Sequence, residues 1–187
     1  MTASTIKFPA SAEDRRIAAL AAVGVGLTVA EAAIPLPVPG IKPGLANIIT
    51  LVVLYRYGVG AAVWVSLLRI VAGALVLGTF LTPTFVLSLS GGVVSLAVLV
   101  LAARLPRAWF GPVGLSLLAA FAHIATQLWV VDLWLMPGLS IMGWLPVFLG
   151  AAWLTGLANG LVAARMLRDR PASAPAAAHA PLMRGPL

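Results

Sequence analysis

Apolar residues run almost unbroken from residue 17 to residue 166, and short polar or Gly/Pro-rich stretches divide them into six segments. The first runs from about Ile17 to Ile34, the second from Gly44 to Tyr57, and the third from Val59 to Gly78. The fourth is Thr84 to Ala103, the fifth Pro112 to Leu135 and the sixth Gly143 to Met166. Runs of this length and apolarity predict membrane helices. The pattern predicts a six-helix membrane domain over residues 17–166. A cytoplasmic segment, 1–16, precedes it, and an Ala/Pro-rich tail, 167–187, follows it without apolar periodicity and is expected to be disordered.

The second segment is too short. At about 1.5 Å per residue a helix from Gly44 to Tyr57 covers roughly 20 Å, against a hydrocarbon core of about 30 Å. The stretch leading into it, IPLPVPGIKPGLANI (Ile34 to Ile48), holds four prolines, two glycines and a single lysine. Irregular backbone at membrane depth is tolerated where protein buries it or where it lines a cavity. A short helix interrupted by Gly and Pro also points to a binding site in transporters. Tilt and local bilayer thinning are the plainer alternative.

Basic residues set the orientation. Lys7, Arg15 and Arg16 precede the first segment, Arg56 separates the second from the third, and Arg104 and Arg107 separate the fourth from the fifth. Arg165, Arg168 and Arg170 close the sixth, while the alternate connections carry Lys42 or no basic residue. Both termini are therefore expected on the cytoplasmic side. No short apolar core followed by a small-residue cleavage site marks a cleavable signal, so the first segment is expected to be retained.

Composition narrows the chemistry. The chain has 187 residues, 61% hydrophobic and 9% charged, where soluble domains carry about 25% charge; mean hydropathy is +1.07. Its solvent over most of its surface must be lipid. There are no cysteines and only two histidines, which excludes disulfides and thiolate sites and leaves little for a metal. No cofactor or metal site is expected. The net charge of +7 comes mostly from residues flanking the apolar segments, so it reports topology more than nucleic-acid binding.

The few polar residues inside the segments carry the information. Arg69, in VSLLRIVAG, lies near the middle of the third segment; a central arginine costs about 2.5–3.5 kcal/mol on insertion scales, so it needs a carboxylate, a water-filled cavity or an anionic ligand. Glu31 and Asp132 are the candidate carboxylates. Asp132 also fits an ordinary interfacial position beside Trp129 and Trp134. Glu31 occupies the last turn of the first segment, against the helix dipole, so a specific partner such as Lys42 or Arg69 is expected. His123 and Gln127 are four apart and share one face of the fifth segment, either as an interhelical polar contact or, with Arg69, as one polar centre. Asn47 follows the Pro/Gly stretch; Asn159 lies within the sixth segment. Small residues recur at spacing four in Ala152, Gly156 and Gly160 and in Ala18, Ala22 and Gly26, faces suited to packing inside the bundle or to docking a partner.

No aspartate-rich DDxxD, GxSxG, HExxH or Walker A motif is present. Five acidic residues leave little for two-carboxylate or magnesium chemistry, so catalysis is not expected. Without an ATP-binding loop, active transport would draw on a partner or an ion gradient.

Three runs, PGIKPGLANIITLVVLYRYG, VSLLRIVAGALVLGTFLTPTFVLSLSGGVVSL and AHIATQ, resemble the Gx transporter family of bacterial membrane proteins, also catalogued as heptaprenyl diphosphate synthase component I. The likeness spans roughly Glu31 to Gln127 and, less distinctly, the sixth segment. That family looks similar to the substrate-binding S components of energy-coupling factor (ECF) vitamin transporters. The resemblance implies an all-α, six-transmembrane-helix bundle in the bacterial inner membrane, with a loop that closes an outward-facing pocket. It also implies a small-residue stripe, here Ala18, Ala22 and Gly26, docking a transmembrane coupling subunit driven by ATPases. Expected substrate-binding residues are Glu31, Lys42, Asn47, Arg69, His123 and Gln127, with a small anionic molecule as substrate. The alternative is a non-catalytic membrane subunit linked to prenyl diphosphate synthesis or prenyl-lipid handling. A structural subunit of a membrane redox or assembly complex is a third class.

Overall fold

A computed structural model of the chain describes residues 10–33, 44–104, 111–138 and 143–169. Among them it is all-helical: α1 (Ala12–Ala32), α2 (Asn47–Val76), α3 (Pro83–Ala102), α4 (Pro112–Val130) and α5 (Leu145–Arg168), with a π-helical turn, Val131–Leu135, extending α4. Four of these are long and apolar enough to cross a membrane: α2, α3, α4 with its π-helical turn, and α5. In α1, Arg16 and Glu31 bracket an uncharged stretch of only 14 residues.

The expectation of six separate helices is corrected here. The second and third apolar segments are joined in α2 without a loop, and a single residue, Gly58, leaves helical geometry at φ 86°, ψ −176°. Arg69 and Asn47 nevertheless share a hydrogen bond of 3.2 Å across 22 residues of the same helix. A straight helix would hold them about 33 Å apart. The two arms of α2 therefore fold back on each other, with Gly58 at the turn and Asn47 and Arg69 equidistant from it. Pattern reading places the boundary correctly and overlooks that one glycine suffices to make it.

The shortness of the first arm has a physical reason. Its residues Ile49 to Leu54 are all buried, at 0–7% exposure, so no face of those one and a half turns meets lipid. A helix apolar and buried all round is a central element. Leu51 and Val53 from this arm meet Val65 from the other, Leu99 of α3, Leu115 and Ala119 of α4 and Ala163 of α5, with Ile17, Leu20 and Leu27 of α1 packed against them.

The small-residue stripes separate cleanly. Ala152, Gly156 and Gly160 are buried. A Cβ on Gly156 would come within 3.1 Å of the Leu117 Cα, and one on Gly160 within 2.6 Å of the Val113 Cα. This stripe seals α5 onto α4. Ala18, Ala22 and Gly26 face outward, and Gly26 has nothing within 4 Å of a Cβ position.

The α1 N-terminus is closed by a capping box. Ser11 Oγ accepts the Asp14 N–H at 3.0 Å, and the Asp14 carboxylate accepts the Ser11 N–H at 2.9 Å. Those Ser11 bonds hold the Asp14 carboxyl below the usual carboxylate range. Near the Gly58 turn, the Arg16 guanidinium stands 5.2 Å from the Tyr57 ring centroid, and Arg56 donates to the Met166 carbonyl at the end of α5. The basic residues at the start of α1, the α2 turn and the end of α5 thus gather at one end of the bundle.

Candidate functional site

Toward the other end, α1, both arms of α2, α3 and α4 enclose a cavity lined by Glu31, Gly44, Asn47, Arg69, Ser88 and His123, among others. It holds about 40 Å³, room for a few waters at about 10–15 Å³ each. Four of the six residues expected to bind substrate meet there: Glu31, Asn47, Arg69 and His123. Gln127 does not line the cavity, and Lys42 lies outside the described residues together with the Pro/Gly stretch Ile34 to Pro43.

Arg69 is only 6% exposed. Its Nη2 donates to Asn47 Oδ1 at 3.2 Å, while its Nε has no hydrogen-bond partner. A guanidinium carries five N–H donors in a planar fork suited to carboxylate or phosphate. Its aliphatic stem lies on Gly24 of α1, where an added Cβ would stand 2.8 Å from the Arg69 Cδ.

Glu31, 3% exposed, has a definite task. One carboxylate oxygen accepts the backbone N–H groups of Gly44 and, at 3.0 Å, Leu45. These lie in the turn that opens α2, where Asn47 and Ile48 donate back to the Gly44 and Leu45 carbonyls. A helix N-terminus exposes unpaired N–H groups and positive dipole, so the α1 carboxylate that opposes its own helix dipole complements that of α2. The Gly44 carbonyl accepts Asn159 Nδ2 of α5 at 2.9 Å. Gly44, at φ 79°, is thus held on both sides of its peptide links by two other helices. Asn159 is a structural clamp on this turn.

His123 and Gln127 share a face of α4 as expected, and both are buried. They press against Gly91 of α3, whose added Cβ would lie 2.9 Å from the imidazole Nδ1 and Cε1 and 3.1 Å from Gln127 Cγ. Gln127 donates to the Leu87 carbonyl at 3.3 Å, so it ties α4 to α3. Asp132 is exposed in the π-helical turn and does not line the cavity. No group of three metal-ligating side chains occurs among the described residues.

Residue-by-residue reading missed Thr28, Gly44 and Ser88 as cavity walls, and Gly24 and Gly91 as the surfaces on which Arg69 and His123 rest. The hydroxyls and glycines look like ordinary contents of apolar helices. Only the pairing of helices shows what each one faces.

An all-helical bundle with four membrane-length apolar helices, enclosing a charged and amide-bearing cavity, defines an integral-membrane type of protein. A family model for heptaprenyl diphosphate synthase component I matches residues 20–166, and the chain belongs to that family. No curated protein and no solved structure matches it.

Proposed function

We propose that the protein is a membrane-embedded binding and transport subunit that takes up a small anionic molecule. The observation that carries this reading is Arg69: a buried guanidinium, hydrogen-bonded to Asn47 and within the field of the Glu31 carboxylate, beside a cavity that also presents His123 and Ser88. An intramembrane arginine is retained where it meets a functional partner. If α1 and the two arms of α2 each cross, the six limbs have both termini on one side; the basic residues gathered at the Gly58 end favour the cytoplasm for that side, which would put the cavity toward the outer side of a bacterial inner membrane. The outward-facing Ala18, Ala22 and Gly26 stripe is available to an energising membrane partner, in keeping with the resemblance to ECF S components. The protein itself carries out no catalysis in this reading.

Native mass spectrometry of the full chain extracted in detergent tests the proposal. The expected result is a retained small anion that Arg69→Ala loses. An empty protein, together with unchanged thermal stability and uptake in Arg69→Ala, overturns it.

The family description favours a second reading, a non-catalytic membrane subunit of prenyl diphosphate synthesis. It predicts co-purification with a soluble prenyl synthase, and persistent absence of that complex removes it.

A further inference from the structure

The guanidinium of Arg69 works only if its long side chain is held at the right reach, and the seam between α1 and α2 shows how. Gly24 is buried, and a Cβ there would stand 2.8 Å from Arg69 Cδ, 3.1 Å from Cγ and 3.4 Å from Cβ. One turn further along both helices the roles reverse: Gly73 of α2 receives the Thr28 side chain, at 3.1 Å from an added Cβ. The two helices approach closely because each offers a glycine where the other offers a side chain. Thr28 turns its hydroxyl back to the Gly24 carbonyl at 3.0 Å, so it does not compete for the guanidinium.

We propose that Gly24 is a positioning residue that sets how far Arg69 extends into the cavity and keeps it on Asn47. This inference rests on the anion-binding reading for its functional consequence. The Arg69 stem is fixed at the α2 backbone and at the tip by Asn47. A methyl group at residue 24 meets the middle of that stem, so the displacement passes to the guanidinium. With the Arg69–Asn47 bond already 3.2 Å long, a shift of several tenths of an ångström takes it beyond useful hydrogen-bond length.

Helix propensity makes the test sharp. Replacing glycine by alanine in a helix with open space around it lowers the unfolding equilibrium constant by about fivefold. Gly150 of α5 has nothing within 4 Å of a Cβ position, so Gly150→Ala is the control and shows that gain. Gly24→Ala goes the other way. Asn47→Ala raises the unfolding constant of the otherwise unaltered chain by about tenfold or more, the weight of one hydrogen bond to a charged group. In the Gly24→Ala background the same change has less than about a twofold effect, because the bond is already lost. An undiminished Asn47 effect overturns the proposal.

The functional arm uses acetate and inorganic phosphate as probes, with the thermal midpoint of the full chain followed against probe concentration. Gly24→Ala requires at least about tenfold more probe than the unaltered chain for the same stabilisation, equivalent to about 1.4 kcal/mol, and Gly150→Ala requires no more. Equal responses in Gly24→Ala and the unaltered chain overturn the positioning role. An unaltered chain that ignores both probes removes the anion-binding reading instead, while the coupling to Asn47 still decides the fate of Gly24. Should Gly24→Ala fail to fold, the double variant Gly24→Ala with Arg69→Ala is expected to fold at least as well as Arg69→Ala alone. A double variant that does not recover refutes the contact as the cause.

Discussion

Gly58→Ala probes the feature on which the whole site depends. Asn47 and Arg69 meet because α2 reverses at Gly58, whose φ 86°, ψ −176° lies in a region almost reserved for glycine. Nothing lies within 4 Å of a Cβ added there, so an alanine meets no clash beyond its own backbone. The backbone strain costs about 1–3 kcal/mol, and the reduced freedom of the unfolded chain returns about 0.4–1 kcal/mol. A net destabilisation of about 0–2.6 kcal/mol, centred near 1.3 kcal/mol, follows from those two terms.

The strain also favours a specific competitor. A straight α2 of 30 residues would extend about 45 Å, well beyond the hydrocarbon core of about 30 Å. Spin labels on Ile48→Cys and Leu68→Cys distinguish the two forms, since the chain contains no other thiol. These positions are equally far from Gly58 and carry none of the cavity's polar groups. The folded-back arms place the backbones about 10 Å apart, whereas a straight helix places them about 30 Å apart. Electron paramagnetic resonance is expected to show the short distance alone with Gly58 present, and an added long-distance population with Gly58→Ala. A Gly58→Ala protein of undiminished stability, with only the short distance, refutes the assignment of the turn to glycine's conformational freedom.

Three further outcomes are expected. Glu31→Ala leaves the Gly44 and Leu45 N–H groups without their buried acceptor and costs about 1.5–3 kcal/mol, read as a lowered midpoint of thermal unfolding. Gly160→Ala drives a methyl group to within 2.6 Å of the Val113 Cα and costs about 1–3 kcal/mol by overpacking, measured in the same assay. Acidification frays the α1 N-terminus: the folded Asp14 carboxyl is held below its ordinary range by Ser11, so its contribution is complete above about pH 3.9 and is lost as pH falls through the lowered folded value. Hydrogen exchange at the Ser11 amide reports that loss, and Asp14→Asn removes its pH dependence.

Helix boundaries were legible because they rest on local signals. Thr84 to Ala103 was expected for what proves to be Pro83–Ala102, and Pro112 to Leu135 for α4 and its π-helical turn. The joint at Gly58 was legible as a boundary but not as a loopless turn. Hydropathy senses a break and cannot tell a connector from one left-handed residue. The central place of the first α2 arm was legible only as a discrepancy in length; burial on every side explains it. The two uses proposed for small-residue stripes could not be separated in the sequence either, because Ala152, Gly156 and Gly160 carry the same spacing as Ala18, Ala22 and Gly26. What separates them is that the Val113 and Leu117 backbone lies against one, while among the described residues the other is exposed and a Cβ at Gly26 would meet nothing within 4 Å.

The site divides along the same line. Arg69, Glu31, His123 and Asn47 announce themselves singly, because each polar group in an apolar helix carries a desolvation cost that demands a partner. Glu31 shows the limit of that argument: the demand was legible, and the answer, two N–H groups at the mouth of α2, was not, since backbone donors have no letter in a sequence. Glycine shows the opposite limit. Gly24, Gly58, Gly150 and Gly160 are one residue type in four settings: beneath an arginine, at a chain reversal, in open space and against a neighbouring backbone. None of them pays a visible penalty, so none can be found by asking what is out of place. Their roles are defined by the group across the gap, and that group is set by how α1, α2, α4 and α5 pair. A polar membrane site is therefore read from sequence through the residues that fill it, and from structure through the residues that leave it room.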